Sequence, residues 1–176
     1  MSRKLRRAQV PSSLPSSLPS SSGDWHAKPL QERPGFLIRR LHQIHVTLFM
    51  EECAEAGITP VQYSILSCLD QMGTAEQIAL SRAVGLDTTN VADVLARLER
   101  RRFVRRRVSS KDKRMKVVTL TDVGRELLLQ VDANAARAHE RTLAALEPPA
   151  RARFMRDLMR LVESNNDLSR TPLSLR

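Results

Sequence analysis

Eleven lysines and arginines but only two acids, Glu99 and Asp112, occupy residues 97–116, a net +9 in a chain whose total is +10. The remainder of the chain is therefore nearly balanced, and one segment carries the electropositive surface. Such a segment suits a polyanion, because each phosphate it neutralises releases condensed counterions. A charge run taken alone is most often a solvated face. Its meaning rests on the residues that flank it.

Upstream of and into this stretch runs a helical pattern, capped by Asp87 or Thr88 and continuing to about Arg102. At about 100° per residue, Val91, Val94, Leu95 and Leu98 fall on one side. Thr89, Asp93, Ala96 and Arg100 lie opposite, with Asn90 and Arg97 on one shoulder and Thr88 in the first turn. Hydroxyl, amide and guanidinium groups beside small residues are the types that approach a DNA groove and read base edges. Asp93 would be repelled by phosphates, so it either accepts from a cytosine amine or, the favoured reading, pairs with Arg97 one turn on and orients it.

Downstream, residues 103–108 and 115–120 are β-patterned and flank a polar run containing Lys111, Asp112, Lys113 and Arg114. That spacing predicts a hairpin with a basic tip. A tip placed just after a groove-reading helix can enter the neighbouring groove, where lysine or arginine senses width and phosphate position. Asp112, two residues before Arg114, can brace its guanidinium. Arg105, Arg106 and Arg107 alternate between strand faces, so only some of them are expected at DNA, and the crowded arginines at 101, 102 and 105–107 are read partly as electrostatic background.

Other chemistries find little support. The chain has no nucleophile elbow, phosphate loop or framed carboxylate pair, so it is not expected to be an enzyme and no cofactor is called for. Cys53 and Cys68 have neither metal-ligand nor disulfide-framework spacing, and reduced thiols are the plainer expectation. His42 and His45, three residues apart, lack a carboxylate cluster or further histidines to complete a metal site. No apolar run reaches the length of a membrane span.

These groups need positioning elements. Residues 1–32 read as a disordered basic tail with a repeated Pro-Ser-Ser-Leu. A helix opens at Pro34 with Leu37, Leu41, Ile44, His45 and Leu48 on one face and ends near Gly57. Thr59-Pro60 starts a second helix, with Val61, Ile65, Leu66 and Leu69 inward, which stops near Gly73. Thr74 is expected to cap a short third helix, and Val84-Gly85-Leu86 to turn into the fourth. After the hairpin, Thr121-Asp122 opens a long helix carrying Leu127, Val131, Ala135, Ala138 and Leu146, broken at Pro148-Pro149. A last helix carries Phe154, Leu158, Leu161 and Val162. The fold class is mainly α with a small β-hairpin wing, a winged helix-turn-helix.

At these residues the sequence resembles the MarR family of bacterial transcriptional regulators. The likeness spans residues 34–166 in element order. It is most specific at Leu98-Glu99-Arg100-Arg101-Arg102-Phe103-Val104-Arg105-Arg106, at Asp112-Lys113-Arg114 and at Val118-Thr119-Leu120-Thr121-Asp122-Val123-Gly124. The family's Asp-x-Arg wing tip maps onto Asp112 and Arg114, with the arginine entering the minor groove. Two positions depart from the pattern: Arg102 stands where the family usually has glycine, and Ser81 where alanine is commoner.

The resemblance implies a cytoplasmic, nucleoid-associated homodimer formed through residues 33–57 and 121–168, with a DNA-binding lobe over 59–120 inside a domain of 33–168 and a flexible end at 169–176. The predicted partner is double-stranded DNA at a pseudo-palindromic site, contacted by Thr88, Thr89, Asn90, Asp93, Arg97, Arg100, Lys111, Asp112, Lys113 and Arg114. It also implies a small anionic aromatic effector, a hydroxybenzoate, nicotinate or phenylpropenoate or its CoA thioester, that releases a repressor from DNA. The residues expected to meet it are Arg39, Arg40, His42, His45, Tyr63 and Ser67, with Phe36 and Phe49 as apolar walls. Two further readings are an architectural DNA-coating protein without effector and a thiol-based redox-responsive regulator.

Overall fold

The computed structural model describes residues 25–109 and 115–173. The wing-tip residues Lys111, Asp112, Lys113 and Arg114, and the Pro-Ser-Ser-Leu repeat, lie outside the described residues. The chain divides into two compact units, Met1–Ile38 and Arg39–Arg176. In the first, a 3-10 turn at Leu30–Glu32 precedes the start of α1 (Pro34–Glu52). Arg33 ties that turn together by donating from Nε to the Lys28 carbonyl at 3.0 Å and from Nη2 to the His26 carbonyl at 3.1 Å. Residues 25–32 thus hold local structure where a disordered tail was expected.

In the second unit α1 continues to Glu52, five residues short of Gly57, and turns follow. Helix α2 (Pro60–Met72) opens on a complete capping box between Thr59 and Gln62, with proline in the first turn where its missing N–H costs nothing. The next residues correct the expected Thr74 cap. Thr74–Glu76 forms a short strand, β1, and α3 (Gln77–Val84) begins after it. Three residues are too few to display a period of two, and β1 exists because it pairs with an edge that would otherwise hold unsatisfied backbone groups.

That edge belongs to the wing. Strands β2 (Val104–Val108) and β3 (Lys116–Leu120) form the expected hairpin, and β3 is central in an antiparallel sheet of order β1-β3-β2. Ala75 and Arg106 both face Val118 across the ladders. Between α3 and the wing runs α4 (Thr88–Arg100), capped by the Asp87 carboxylate accepting from the Asn90 N–H. The α3–α4 turn closes on Gly85 at φ +67°, a left-handed conformation that favours glycine. Buried Ser81 donates its hydroxyl to the Leu86 carbonyl at 2.6 Å, so the serine that departs from the family pattern serves this turn.

Helix α5 (Asp122–Thr142) starts at a Thr121 cap and α6 (Pro148–Ser164) at a proline pair. The prolines open α6, and α5 ends at Thr142, short of them, so Leu146 falls in the connection and outside the α5 stripe where it was expected. One core joins Ile65, Leu69, Leu80, Leu95, Leu98 and Val118 beneath the helix-turn-helix and sheet. A second joins Phe49, Cys53, Ile58, Val131, Ala135 and Ala138 between α1 and α5.

The apolar stripes of α1 and α6 differ from those of the core helices. Leu37 and Ile44 are exposed, and Phe49 is the buried residue of α1. Val61 on α2 is also exposed. Helix α6 buries no residue, and Leu158, Leu161 and Val162 all face outward. Past α6, residues expected to be flexible are held as far as Leu173. Asn166 accepts from the Leu173 N–H at 2.8 Å and donates to its carbonyl at 3.0 Å, and the Leu173 side chain lies against Gly85.

Candidate nucleic-acid interface

Helix α4 is fixed from beneath by Val91, Leu95 and Leu98, each fully buried. That packing leaves Thr88, Thr89, Asn90, Asp93, Arg97 and Arg100 exposed together, as the helical period predicts. Asn90 is not wholly at liberty to read bases, because its side-chain amide donates to the Asp87 carboxylate at 2.5 Å. Asp93 and Arg97 form no ion pair, contrary to expectation. An exposed pair one helical turn apart is worth only about 0.2–0.5 kcal/mol, and water competes at that level.

The exit of α4 explains the departure at Arg102. The Arg102 N–H returns to the Glu99 carbonyl at 2.9 Å and the Phe103 N–H to the Leu98 carbonyl at 3.0 Å, a Schellman closure. Its left-handed seat is held by Arg102 at φ +63°, the one non-glycine residue with positive φ among those described. Thr121 then locks the junction: its hydroxyl donates to the Arg102 carbonyl at 2.6 Å and accepts from the Gly124 N–H at 3.0 Å.

The arginines of β2 divide by strand face. Arg106 lies on the half-buried side and meets Glu99, which accepts from its Nε at 2.7 Å and from its backbone N–H at 3.0 Å. That contact holds the Glu99 carboxyl below the usual carboxylate range, chiefly through the Arg106 side-chain hydrogen bond. Arg106 is thus a brace between α4 and the wing, and Arg105 and Arg107 are the exposed cations of the strand. Sequence reasoning missed this brace, although Glu99 was the one acid near the arginines in the helical part of the basic stretch.

The residues expected to meet an effector are partly gathered. His45 stacks on His139 of α5, with ring centroids 5.2 Å apart, and its Nδ1 lies 2.9 Å from the Thr142 hydroxyl. The Thr142 hydroxyl also lies 2.7 Å from the Ala138 carbonyl, to which it donates, and that leaves its oxygen able to accept from the His45 ring. Burial, then His139 and His42, pushes the His45 pKa down. Phe49 joins the group with its ring 5.6 Å from that of Tyr63, whose hydroxyl donates to Asp132 at 3.0 Å and also meets Ser67. Burial and the Asp132 hydrogen bond raise the Tyr63 pKa. Arg40 turns instead to Gln43 at 3.0 Å, and Arg39 and His42 are exposed on α1. The α5 members His139, Asp132 and Thr142 were not anticipated, since they lie far away in sequence.

Burial raises the pKa of both Cys53 and Cys68, which keeps them as thiols. Among the described residues no group of three potential metal ligands occurs, and no helix is long and apolar enough to cross a membrane.

Residues 58–116 match the profile of the MarR family. The transcriptional repressor NicR of Pseudomonas putida is 25% identical over 136 residues, covering 77% of this chain and 86% of its own. Among solved structures, the PcaV transcriptional regulator of Streptomyces coelicolor in complex with its natural ligand is 33% identical. It covers 78% of this chain and 96% of its own, with a TM-score of 0.72. BpsR of Bordetella bronchiseptica, whose DNA binding is regulated by 6-hydroxynicotinic acid, is 27% identical over 76% of this chain and 96% of its own, also with a TM-score of 0.72.

Proposed function

The chain belongs to the MarR family, and from that premise we propose that it is a repressor that binds a pseudo-palindromic operator as a homodimer and is released by a small aromatic carboxylate. Transcription regulation through a winged helix-turn-helix is the family's activity, and the chain is not an enzyme. The observation that carries the DNA reading is the outward face of α4, where Thr88, Thr89, Asn90, Asp93, Arg97 and Arg100 stand together. Beside it the wing is braced through Glu99 and Arg106. The wing tip, Lys111, Asp112, Lys113 and Arg114, completes the proposed contact, with Arg114 in the minor groove.

The exposed stripes of α1 and α6 support the dimer: among the described residues α6 buries none of its own apolar side chains, and α1 leaves Leu37 and Ile44 uncovered. Two copies related by a two-fold axis present their recognition helices roughly 34 Å apart, one turn of DNA. The lobe over 59–120 then reads DNA and the helices over 33–57 and 121–168 join the copies in the cytoplasm.

The effector reading rests on the cluster of His45, Phe49, Tyr63 and Ser67 and on the relatives NicR, PcaV and BpsR. Tyr63 and Asp132 suit a ring hydroxyl, and Arg39 and Arg40 supply cations, with the His42 ring beside them, at one end for a carboxylate. The test is to select duplexes from a randomised library with the full chain. Binding to the selected duplex is then titrated with 6-hydroxynicotinic acid, 4-hydroxybenzoic acid and 4-coumaric acid and its CoA thioester. A selected palindrome bound at least a thousandfold more tightly than random duplex, and released by one of these ligands, is the expected result. Equal affinity for every duplex would indicate an architectural protein in its place.

A further inference from the structure

The crowded arginines at the exit of α4 are not equivalent. Arg101, the C-terminal cap residue of that helix, reaches back across the sequence to the turn that follows α1. Its Nη1 donates to the Gly57 carbonyl at 2.6 Å and its Nη2 to the Ala56 carbonyl at 2.8 Å. The guanidinium also lies over the Phe103 ring, with Cζ 4.6 Å from the centroid. Phe103 is itself buried against the main core, so the stack is anchored on its far side.

The turn that Arg101 grips is defined in its own right. Gly57 sits at φ +58° and returns its N–H to the Cys53 carbonyl at 3.1 Å. Cys53 is 1% exposed and belongs to the second core with Phe49 and Ile58. Two carbonyls that end this turn point at one planar fork, and the fork lies at the junction of α4 with the wing. The geometry matches guanidinium chemistry: two parallel donors for two acceptors and a flat face for the ring. A lysine keeps the charge but is a point donor on a flexible stem, and loses both features.

We propose that Arg101 is a positioning residue for DNA recognition, a staple that fixes the exit of the recognition helix to the connection between α1 and α2. The proposal rests on the reading of α4 as the DNA-reading helix. A guanidinium committed to two carbonyls and a ring is not spent on a phosphate, so Arg101 acts through the placement of α4 and the wing. In a dimer joined through α1 and α6, the staple also ties the joining region to the reading helix.

Two measurements on the full chain test this, using Arg101→Lys and Arg101→Gln. The first needs no DNA. Cys53 reports opening of the connector and half-buried Cys68, in the main core, reports the rest of the fold. With iodoacetamide, both variants should label Cys53 at least tenfold faster than the parent while Cys68 labels at the parent rate. Unchanged Cys53 labelling in both variants overturns the staple.

The second measurement uses the duplex selected by the parent protein and a scrambled duplex. Arg101→Lys should lose about tenfold on the selected duplex and nothing on the scrambled one, with the salt dependence unchanged. If Arg101→Lys binds like the parent, and Arg101→Gln loses affinity on both duplexes with a salt slope shallower by about 0.9, Arg101 is a phosphate contact and the proposal fails. A parent that selects no duplex overturns the regulator reading and, with it, the role in recognition. The Cys53 labelling then still decides whether the staple exists.

Discussion

At the scale of single residues, conformation and protonation give the sharpest expectations. Arg102 holds a left-handed seat that a side chain occupies at a cost of about 1 kcal/mol. Arg102→Gly should therefore raise unfolding free energy by about 1 kcal/mol in urea titrations, a gain lost if the backbone relaxes elsewhere. His45 has its pKa pushed below the ordinary 6.5 by burial, with His139 and His42 adding to the effect. The unfolded chain then binds a proton that the folded chain refuses. The stabilising contribution is complete above about 6.5 and declines as pH falls toward the lowered value. Thermal melts between pH 7.5 and 5.5 should record a falling midpoint, and His45→Gln should flatten that part of the profile.

Much at this scale was legible beforehand. Residue type alone points to the caps at Thr59 and Thr121 and narrows the cap of α4 to Asp87 or Thr88, since a cap is chosen within three residues of the atom it satisfies. The Glu99–Arg106 brace was not legible, because nothing in the sequence says which of several neighbouring arginines turns inward. The strand register decides that, and it places Arg106 opposite Val118 on the buried face.

Among elements, the junction of wing and α5 is the tightest. A Cβ built on Gly124 would stand 2.0 Å from the Phe103 carbonyl oxygen, a backbone atom that cannot swing aside. Gly124→Ala should destabilise by about 3 kcal/mol or more, read as a lowered denaturation midpoint. Gly35→Ala, with nothing within 4 Å of the added carbon and a helical position in α1, is the matched control and should melt no lower than the parent. The helices were readable from their period, and the wing strands from β-patterned runs around a polar tip. Strand β1 was not, because its three residues owe their conformation to β3. The separation of α5 from α6 at Pro148 is legible in the sequence, but the end of α5 at Thr142 is not, because proline both ends helices and begins them.

For the whole molecule, the unburied face of α6 sets the expectation. Leu161 is 59% exposed in the single chain, and a two-fold dimer through α6 would cover it. Leu161→Glu should shift sedimentation from dimer toward monomer and weaken binding to the selected duplex at least tenfold, since each half-site then binds alone. A variant that sediments as a dimer and binds DNA unchanged would remove α6 from the interface.

The basic stretch of residues 97–116, the amphipathic faces and the caps were determined by the sequence alone, because charge density, helical period and capping act over a few neighbouring residues. They were enough to give a winged helix and to bring Thr88, Thr89, Asn90, Asp93, Arg97 and Arg100 onto one surface. Only the tertiary structure assigned partners to individual side chains. His45 meets Thr142 across 97 residues, Tyr63 meets Asp132 across 69, and Arg101 meets Gly57 across 44. Contacts of that span depend on how helices pack and which face each strand turns inward, and no local pattern records them.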